Sequence, residues 1–385
     1  MIERQLGQKL GELAQWYPIV SITGPRQSGK STLVQAEFPD YRYVNLEDPA
    51  TRERALADPT GFVATLPGKA ILDEAQYVPE LFSALQVKAD ERKAPGQFVL
   101  SGSQNFLLLR SIKQSLAGRV GIAYLLPLSF REIASCNPEA EPLDVMARGS
   151  YPALHAGSVP TEIFYDNYLD TYIARDVIGY LDVRNERDFR RFLAACAVRA
   201  GNLVNQADLA RDVGVSVPTI RSWLSILESS FVVATLAPYS ANISKRLTKT
   251  PKLYFCDTGL LCHLLGIRDG RALAESDHLG AVFENYVVSE QIKRHYNLLA
   301  RPDLMFYRDD SKIEVDLVDA TNRDRPLLCE IKAGQTYRSS FARNARTIGQ
   351  TPGLESASLN VVYGGEGRFA DDGVSVFGIR EWLEA

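Results

Sequence analysis

Four residues near the start of the chain, Gly24, Gly29, Lys30 and Ser31, occupy every fixed position of the phosphate-binding pattern G-x-x-x-x-G-K-[ST]. An apolar, β-prone run precedes them and a helical pattern follows. In that context the loop's N–H groups can surround a β-phosphate, and the helix directs its positive dipole end at the anion. We expect Lys30 to reach the β- and γ-phosphates and Ser31 to bind Mg²⁺. The predicted nucleotide-binding residues of this loop are Gly24, Pro25, Arg26, Gln27, Ser28, Gly29, Lys30, Ser31 and Thr32.

Two acids, Asp73 and Glu74, follow an apolar strand pattern farther along the chain. At a strand tip beside the phosphate loop, Asp73 would hold Mg²⁺ directly or through water, and Glu74 would polarise an attacking water. Taken alone, a buried strand and a solvated acidic turn explain the pair equally well, but with the loop they indicate hydrolysis. A third strand pattern leads to Ser103 and Gln104, which would touch the γ-phosphate or the lytic water, or serve only as turn formers.

Two arginines are candidates to stabilise charge in the transition state. Arg119 lies between a helical and a strand pattern, and would insert into the active site of a neighbouring subunit. The alternative is an ordinary surface arginine. Arg175 is a rival for the same role or for an intra-chain sensor, and with Asp176 it would equally form a structural ion pair. A finger between subunits would require a homo-oligomer.

A second chemical pattern lies near the C-terminus, where thirteen residues separate Asp316 from Glu330, and Lys332 follows. Residues two apart on a strand share a face, so Glu330 and Lys332 would point the same way. If the two strands form a hairpin, Asp316 and Glu330 can share a divalent metal, while Lys332 orients water and offsets charge on a phosphate. Glu284, in a helical pattern upstream, is a further candidate ligand. The alternative is a hairpin with solvated acids and a lysine salt bridge.

Residues 204–224 have a pattern typical of a helix–turn–helix, in which Gly214 closes the first helix and Ser216 caps the second. The second helix would contact DNA. The alternative is a winged helix that packs on the nucleotide-binding region as a lid, in which Trp223, Leu224 and Ile226 are core residues alone. The predicted DNA contacts on this helix are Thr219, Arg221 and Ser222.

Two strand patterns, 231–234 and 252–255, would pair as the wing of a winged helix. Between them lies a stretch without acids, whose basic residues would bind phosphates. These residues are Lys245, Arg246, Lys249 and Lys252.

The elements that must position these groups fall into three expected domains. Residues 1–135 alternate strand and helix patterns, which predicts a parallel sheet covered by helices. Residues 136–150 are rich in Pro and Glu, and we expect an irregular connection there. A helical and winged-helix domain is predicted over 150–270, and a helix followed by β-rich segments over 277–385.

Composition excludes few function classes. The 385 residues are 45% hydrophobic and 23% charged, as in ordinary globular proteins. The formal charge of −4 gives no overall attraction to nucleic acid, so such binding would need a local patch. Five scattered cysteines indicate neither a zinc module nor a disulfide framework. The chain has no signal-peptide pattern and no apolar run of membrane-spanning length, so we expect a cytoplasmic protein.

Together, these motifs resemble the AAA+ ATPases of bacteria and archaea that carry an uncharacterised C-terminal region. The resemblance covers nearly the whole chain and implies a AAA+ fold, Mg-ATP binding and a relation to winged-helix ATPases such as origin-recognition proteins and STAND signalling ATPases. The matching segments are Gly24–Ser31, Leu72–Gln76, Leu100–Ser103, Leu116–Arg119, Gly149–Pro152, Tyr172–Asp176 and Cys256–Leu260.

The C-terminal spacing D-x13-E-x-K, with Glu284 on a helix before it, resembles the PD-(D/E)xK nuclease superfamily. Val315 stands where that superfamily often has proline before the aspartate. The resemblance implies a restriction-endonuclease-like α/β domain and metal-dependent phosphodiester cleavage.

The expected protein is therefore an α/β multidomain ATPase with three parts: a P-loop AAA+ parallel sheet, a helical and winged-helix middle, and a restriction-endonuclease-like end. We expect ATP and Mg²⁺ as cofactors, a second divalent metal at Asp316 and Glu330, DNA as a partner, no membrane, and a homo-oligomer formed through the AAA+ domain. ATP hydrolysis would drive or gate an activity on nucleic acid. The alternative is a nucleotide-dependent signalling or binding switch without nuclease activity.

Overall fold

The computed structural model describes residues 2–102, 116–157, 159–171, 186–239, 250–309, 313–351 and 353–385. The chain forms two compact units. The N-terminal unit comprises residues 1–128 together with the short segments 229–231 and 296–299. The C-terminal unit comprises residues 129–228, 232–295 and 300–385. Among the described residues, no helix is both long enough and apolar enough to cross a membrane.

The N-terminal unit is built on a five-stranded sheet in the order β2-β3-β4-β1-β5, with every neighbouring pair parallel. Because all strands run the same way, the loops after their carboxyl ends meet at one edge, where ligands of open α/β sheets bind. The strands are β1 (Ile19–Thr23), β2 (Arg42–Asn45), β3 (Ala70–Asp73), β4 (Phe98–Gly102) and β5 (Val120–Tyr124). The helices are α1 (Leu6–Trp16), α2 (Lys30–Glu37), α3 (Pro49–Ala57), α4 (Pro59–Thr65) and α5 (Leu81–Arg92).

Apolar side chains cover both faces of this sheet. One cluster packs β-strand residues such as Leu72 and Leu100 against Phe82 of α5, and the other packs Val20 of β1 against Leu33 of α2. Strands that are buried on both faces have nearly continuous apolar runs, which is the pattern expected of a parallel sheet. The predicted parallel sheet over this region is confirmed.

The C-terminal unit combines helices with an eight-stranded sheet in the order β12-β13-β11-β10-β9-β8-β6-β7. The helices are α6 (Phe130–Cys136), α7 (Pro142–Arg148), α8 (Pro152–Ala156), α9 (Thr161–Tyr168), α10 (Glu186–Ala197), α11 (Gln206–Val213), α12 (Val217–Ser229), α13 (Thr258–Leu264), α14 (Gly270–Ala274), α15 (Leu279–Asn297), α16 (Arg343–Ile348) and α17 (Ile379–Glu384). The strands are β6 (Val233–Pro238), β7 (Lys252–Phe255), β8 (Leu304–Arg308), β9 (Glu314–Asp319), β10 (Leu327–Lys332), β11 (Ser358–Tyr363), β12 (Arg368–Asp371) and β13 (Val374–Gly378).

The strands expected to form a wing, β6 and β7, do pair antiparallel, with Val233 opposite Phe255. β6 also pairs in parallel with β8, placing Ala237 opposite Met305. These two strands therefore belong to the same sheet as β9 and β10, which carry the C-terminal acids.

Helices α11 and α12 lie where the helix–turn–helix pattern predicts them. The Asn205 side chain accepts a hydrogen bond from Ala207 N at the start of α11, and Gly214 ends that helix with φ 84°, a conformation that glycine adopts without strain. Arg221 and Ser222 are exposed on α12, whereas Trp223 is buried against Phe189 and Phe192. The winged-helix assignment stays a prediction.

One expectation about local structure is wrong. The irregular connection over 136–150 contains helix α7, which begins at Pro142; proline suits a first helical turn because its missing N–H has no partner there anyway.

Candidate functional site

The predicted phosphate loop connects β1 to α2 in the N-terminal unit. A Cβ atom on Gly24 would lie 2.0 Å from the carbonyl oxygen of Leu125, so only glycine allows this close approach of two backbones. Gly29 has φ 90° and immediately precedes the helix that starts at Lys30. Both glycines of the motif are thus required by the backbone path, which leads the loop directly into a helix N-terminus.

Lys30 turns back onto its own loop. Its Nζ donates hydrogen bonds to the carbonyl oxygens of Gly24 (3.1 Å) and Pro25 (2.6 Å). Burial lowers the pKa of Lys30 from 10.5 to about 8, against the opposing effect of Glu74 and Asp73. The ammonium group is therefore desolvated, so the negative charge of a phosphate would stabilise it.

Arg4, in the segment before α1, holds the same loop from outside. Its guanidinium donates to the carbonyl oxygens of Ser28 and Leu126, both at 2.7 Å. Sequence reasoning missed this residue, because a lone arginine near an N-terminus carries no signal of its distant partner.

Asp73, at the end of β3, is held by the two neighbouring strands. Tyr43 on β2 donates its hydroxyl to Asp73 Oδ2 at 2.5 Å, and Ser101 on β4 donates to Asp73 Oδ1. Burial and the bond to Asp73 raise the pKa of Tyr43 well above its usual value. Sequence reasoning missed Tyr43 and the bond from Ser101.

Glu74 follows directly after the strand in a left-handed backbone conformation, with φ 54°. Its backbone N–H donates to Asp73 Oδ1 at 3.2 Å, and its carboxylate accepts from the side chain of Gln76. A non-glycine residue at positive φ is uncommon and is enriched at functional sites. We call the loop from Gly24 to Lys30 with Asp73 and Glu74 the P-loop site.

Arg119, the candidate finger, forms a two-point ion pair with Asp90 on the surface of the N-terminal unit. Its Nε lies 2.6 Å from Asp90 Oδ1, and its Nη2 lies 2.9 Å from Oδ2. Both side chains are partly exposed, which leaves the role of Arg119 in a neighbouring subunit a prediction. The other predicted residues of this group, Ser103, Gln104 and Arg175, lie outside the described residues.

In the C-terminal unit, β9 and β10 pair antiparallel with Cys329 opposite Leu317. The predicted hairpin is confirmed, and the next positions of that register bring Asp316 and Glu330 together. Lys332 Nζ bridges them, at 3.1 Å from Asp316 Oδ2 and 2.7 Å from Glu330 Oε2. The backbone N–H of Ile331 also donates to Asp316 Oδ2 at 2.8 Å. We call Asp316, Glu330 and Lys332 the acidic site.

Glu330 is the unusual member of this site. Only 1% of the residue is exposed, and its Oε1 atom has no hydrogen-bond partner among the described residues. Burial and the neighbouring Asp316 raise the pKa of Glu330 to about 8. For Lys332, burial alone would lower the pKa, but Asp316 and Glu330 raise it above its usual value. A buried carboxylate with an unfilled oxygen has acceptor capacity left for a cation.

Glu284, on α15, is held by a different lysine. Lys252 Nζ lies 3.0 Å from Glu284 Oε1 and 2.6 Å from Glu314 Oε1, and the hydroxyl of Tyr254 donates to Glu284 Oε1 at 2.7 Å. Burial and the charge of Asp316 raise the pKa of Glu284 to about 7. We call Lys252 with Glu284 and Glu314 the lysine bridge.

The expectation that Lys252 lies in an exposed basic wing is wrong. Only 4% of this residue is exposed. Burial alone would lower its pKa, but the carboxylates of Glu284, Asp316 and Glu314 raise it, so the side chain is charged. Sequence reasoning missed Glu314 and Tyr254 as its partners. The other three basic residues of that stretch, Lys245, Arg246 and Lys249, lie outside the described residues.

The donor set of the acidic site suits a hard divalent cation, because Asp316 and Glu330 supply carboxylate oxygens and one of them is unfilled. Across the described parts of the chain, no group of three or more His, Cys, Asp or Glu residues is arranged to hold a metal. A metal held by Asp316 and Glu330 would complete its shell with water or substrate.

Family models divide the chain into three consecutive regions. An AAA domain matches residues 17–134, which include the P-loop site. Two domains of unknown function, DUF8612 and DUF4143, match residues 140–271 and 279–382. The acidic site lies within the last of these regions.

Several bacterial proteins are similar to this chain over most of its length. An uncharacterized protein of Mycobacterium tuberculosis is 36% identical over 358 residues, which is 91% of this chain and 78% of the relative. An uncharacterized protein of Mycobacterium bovis matches equally well. Another, from Haemophilus influenzae, is 24% identical over 318 residues, covering 72% of this chain and 75% of that protein.

Three solved structures show distant likeness to the fold. The Walker-type ATPase of Pyrococcus abyssi is 18% identical with a TM-score of 0.41, covering 69% of this chain and 96% of that one. RuvB of Thermotoga maritima is 17% identical with a TM-score of 0.31, and the match covers 63% of this chain and 93% of that one. AMPPCP-bound DnaA of Aquifex aeolicus is 15% identical with a TM-score of 0.30, and the match covers 58% of this chain and 85% of that one.

Proposed function

Because this chain belongs to a family of P-loop AAA ATPases, we propose, first, that it hydrolyses ATP with Mg²⁺. We propose, second, that its nucleotide state gates a metal-dependent cleavage of nucleic acid at the acidic site. The observation that carries the first half is the state of Lys30, a buried ammonium that contacts loop carbonyls and has a lowered pKa. The observation that carries the second half is the unfilled Oε1 atom of buried Glu330.

In the ATPase reaction, Lys30 would exchange its loop carbonyls for the β- and γ-phosphates and hold their charge. Glu74 would accept a hydrogen bond from the attacking water and draw off its proton. Ser31 and Asp73 would contact bound Mg²⁺, which neutralises charge on the phosphates. Arg4 would keep the loop in the shape that receives the phosphates. These roles fit the contacts of each residue described above.

The ATPase proposal is tested with two substitutions in the full chain. Lys30→Ala should abolish tight ATP binding, measured by isothermal titration calorimetry. Glu74→Gln should bind ATP like the wild type but hydrolyse it about 10²- to 10⁴-fold more slowly, the usual loss when a general base is removed. Glu80→Gln, an exposed glutamate of the same unit, is the matched control. Wild-type hydrolysis by Glu74→Gln would remove Glu74 from the mechanism.

In the cleavage reaction, Asp316 and Glu330 would hold a divalent metal through their carboxylate oxygens. When bound, that metal lowers the pKa of a water and offsets charge on the scissile phosphate. Lys332 would orient the attacking water and donate a hydrogen bond to the phosphate oxygen that gains charge. It is already within hydrogen-bond distance of both acids.

The cleavage proposal is tested by incubating the purified protein with single- and double-stranded DNA, Mg²⁺ or Mn²⁺, with and without ATP. The wild type should cleave, and Glu330→Ala should lose the activity. Glu355→Ala, an exposed glutamate of the same unit, should cleave like the wild type. Equal cleavage by Glu330→Ala and the wild type would identify a contaminating nuclease and reject the proposal.

A second function is a nucleotide-dependent switch that binds DNA without cutting it, and the exposed positions of Arg221 and Ser222 on α12 support it. Exposed Arg221 on α12 is its proposed phosphate contact. Arg221→Ala should then weaken DNA binding and reduce the slope of log affinity against log salt by about one. Binding without cleavage at any metal concentration would favour the switch. A homo-oligomer and a cytoplasmic location stay predictions.

A further inference from the structure

The lysine bridge brings a cation from a strand distant in sequence into contact with two glutamates. Lys252 Nζ lies 3.0 Å from Glu284 Oε1 and 2.6 Å from Glu314 Oε1. Tyr254, two residues along the same strand, donates its hydroxyl to Glu284 Oε1 at 2.7 Å. The side chain of Lys252 is only 5% exposed. Its ammonium therefore occupies a buried position between two carboxylates.

The neighbours of Lys252 lie on the strands that carry Glu314 and its partner. Its ammonium lies 5.5 Å from the ring centroid of Phe306, a buried residue of β8, and β8 pairs with β9. The second oxygen of Glu314 lies 3.6 Å from Arg308 Nη1. Each oxygen of Glu314 therefore faces a protein cation, and Glu314 has little capacity left for a metal.

Glu330 differs from Glu314, because only one of its two carboxylate oxygens faces a protein cation among the described residues. Lys332 contacts only its Oε2 atom among the described residues, while Oε1 is buried without a partner. Lys332 is also the more exposed lysine, with 36% of its side chain accessible against 5% for Lys252. An incoming cation and its waters would therefore find an unfilled oxygen at Glu330, whereas Glu284 Oε1 already has two hydrogen-bond donors.

We propose that Lys252 is a built-in cation that fills the position between Glu284 and Glu314, so that the acidic site takes one divalent metal, held by Asp316 and Glu330 and not by Glu284. Lys252 is then a positioning residue, which keeps Glu284 turned away from the metal. The inference rests on the proposed cleavage function for the identity of the site, and it limits that function to a single-metal chemistry.

The test counts Mn²⁺ bound to the full chain without nucleotide or nucleic acid, from the electron paramagnetic resonance signal of free Mn²⁺. The wild type should bind one equivalent at the acidic site. Glu330→Gln should lose it, and Glu284→Gln should keep it. Lys252→Met should gain a further equivalent, because two carboxylates and the Tyr254 hydroxyl are left without their cation, and adding Glu314→Gln should remove the gain. Asp73→Asn corrects for any Mn²⁺ at the P-loop site.

Each of the following outcomes supports or overturns one of the two proposals. Loss of the wild-type equivalent in Glu284→Gln would make Glu284 a ligand and overturn the proposal, as would a folded Lys252→Met that gains no Mn²⁺. If Lys252→Met does not fold, Glu284→Gln decides alone, and Lys252→Arg, which keeps a cation, should bind as the wild type does. Equal Mn²⁺ binding by the wild type and Glu330→Gln would instead reject the metal of the cleavage proposal, while the gain in Lys252→Met would still test the built-in cation.

Discussion

The two units bury lysines in opposite surroundings. Lys30 of the N-terminal unit donates to backbone carbonyls, and burial lowers its pKa to about 8. Lys252 of the C-terminal unit lies between two carboxylates, which raise its pKa despite its burial. The direct partners of the first ammonium are neutral carbonyl oxygens, whereas those of the second are two carboxylates. We therefore propose a phosphate-binding role for the lysine of one unit and a positioning role for the lysine of the other.

The largest difference is expected in stability. Lys252→Met would leave Glu284 and Glu314 without their buried cation, and should lower the free energy of unfolding of the C-terminal unit by about 3–5 kcal/mol. Lys30→Met removes a desolvated charge, and should leave the N-terminal unit unchanged or more stable. Denaturant unfolding followed by tryptophan fluorescence checks both variants, because Trp16 lies in the N-terminal unit and Trp223 and Trp382 in the C-terminal one. Equal destabilisation by the two variants would contradict the comparison.

A smaller effect is expected at Arg4, which supports the loop around Lys30. Arg4→Ala removes two charge-assisted hydrogen bonds, one to the loop carbonyl of Ser28 and one to the carbonyl of Leu126 after β5, and should weaken ATP binding about tenfold, or about 1.4 kcal/mol. Arg4→Lys, which can keep one of the two bonds, should lie between the variant and the wild type. Calorimetric titration with ATP measures all three, and an unchanged affinity in Arg4→Ala would show that the loop holds its shape unaided.

The lowered pKa of Lys30 predicts proton uptake on ATP binding. At pH 8 about half of the free protein has a neutral Lys30, and bound phosphates restore the charged form, so binding should take up about half a proton. Uptake should vanish near pH 6, where Lys30 is already charged, and ATP affinity should fall as the pH rises above 8. Calorimetry in buffers of different ionisation enthalpy measures the uptake, and the same titration at pH 6, where Lys30 is already charged, is the control that should show none.

The smallest effect concerns the pair of acids in the C-terminal unit. Burial is the larger cause of the raised pKa of Glu330, and Asp316 the next. Asp316→Asn removes that neighbouring charge, so the pKa of Glu330 should fall below about 8 but stay above its ordinary value. Carbon-13 NMR of labelled glutamate follows the titration. A pKa unchanged by Asp316→Asn would mean that the two acids do not interact.

The parts of these sites that are local in sequence were predictable. The phosphate loop has its glycines at fixed spacing within one continuous segment that connects β1 to α2. Asp316 and Glu330 follow from two strands that pair as a hairpin. In both cases short-range chain geometry positions the chemistry.

The parts that depend on strand order were not predictable. Tyr43 and Ser101 reach Asp73 because β2 and β4 flank β3, and Lys252 reaches Glu314 because β6 and β7 extend the sheet of β9. Each contact joins segments that are far apart in the chain, so the spacing of motif residues in the sequence does not predict it. The sequence predicts a basic patch that includes Lys252, because the acidic partners of this lysine lie on a helix and a strand farther along the sequence.

The sharing of one sheet by β6 to β13 has a practical consequence for dissecting the molecule. A fragment that begins at residue 277 would lack β6 and β7, and β8 would lose its parallel neighbour at Met305 and Phe306. Its newly open edge would offer unpaired backbone groups to other chains, which invites aggregation. A fragment that starts before Val233 would keep that edge covered and retain Lys252 beside its two glutamates.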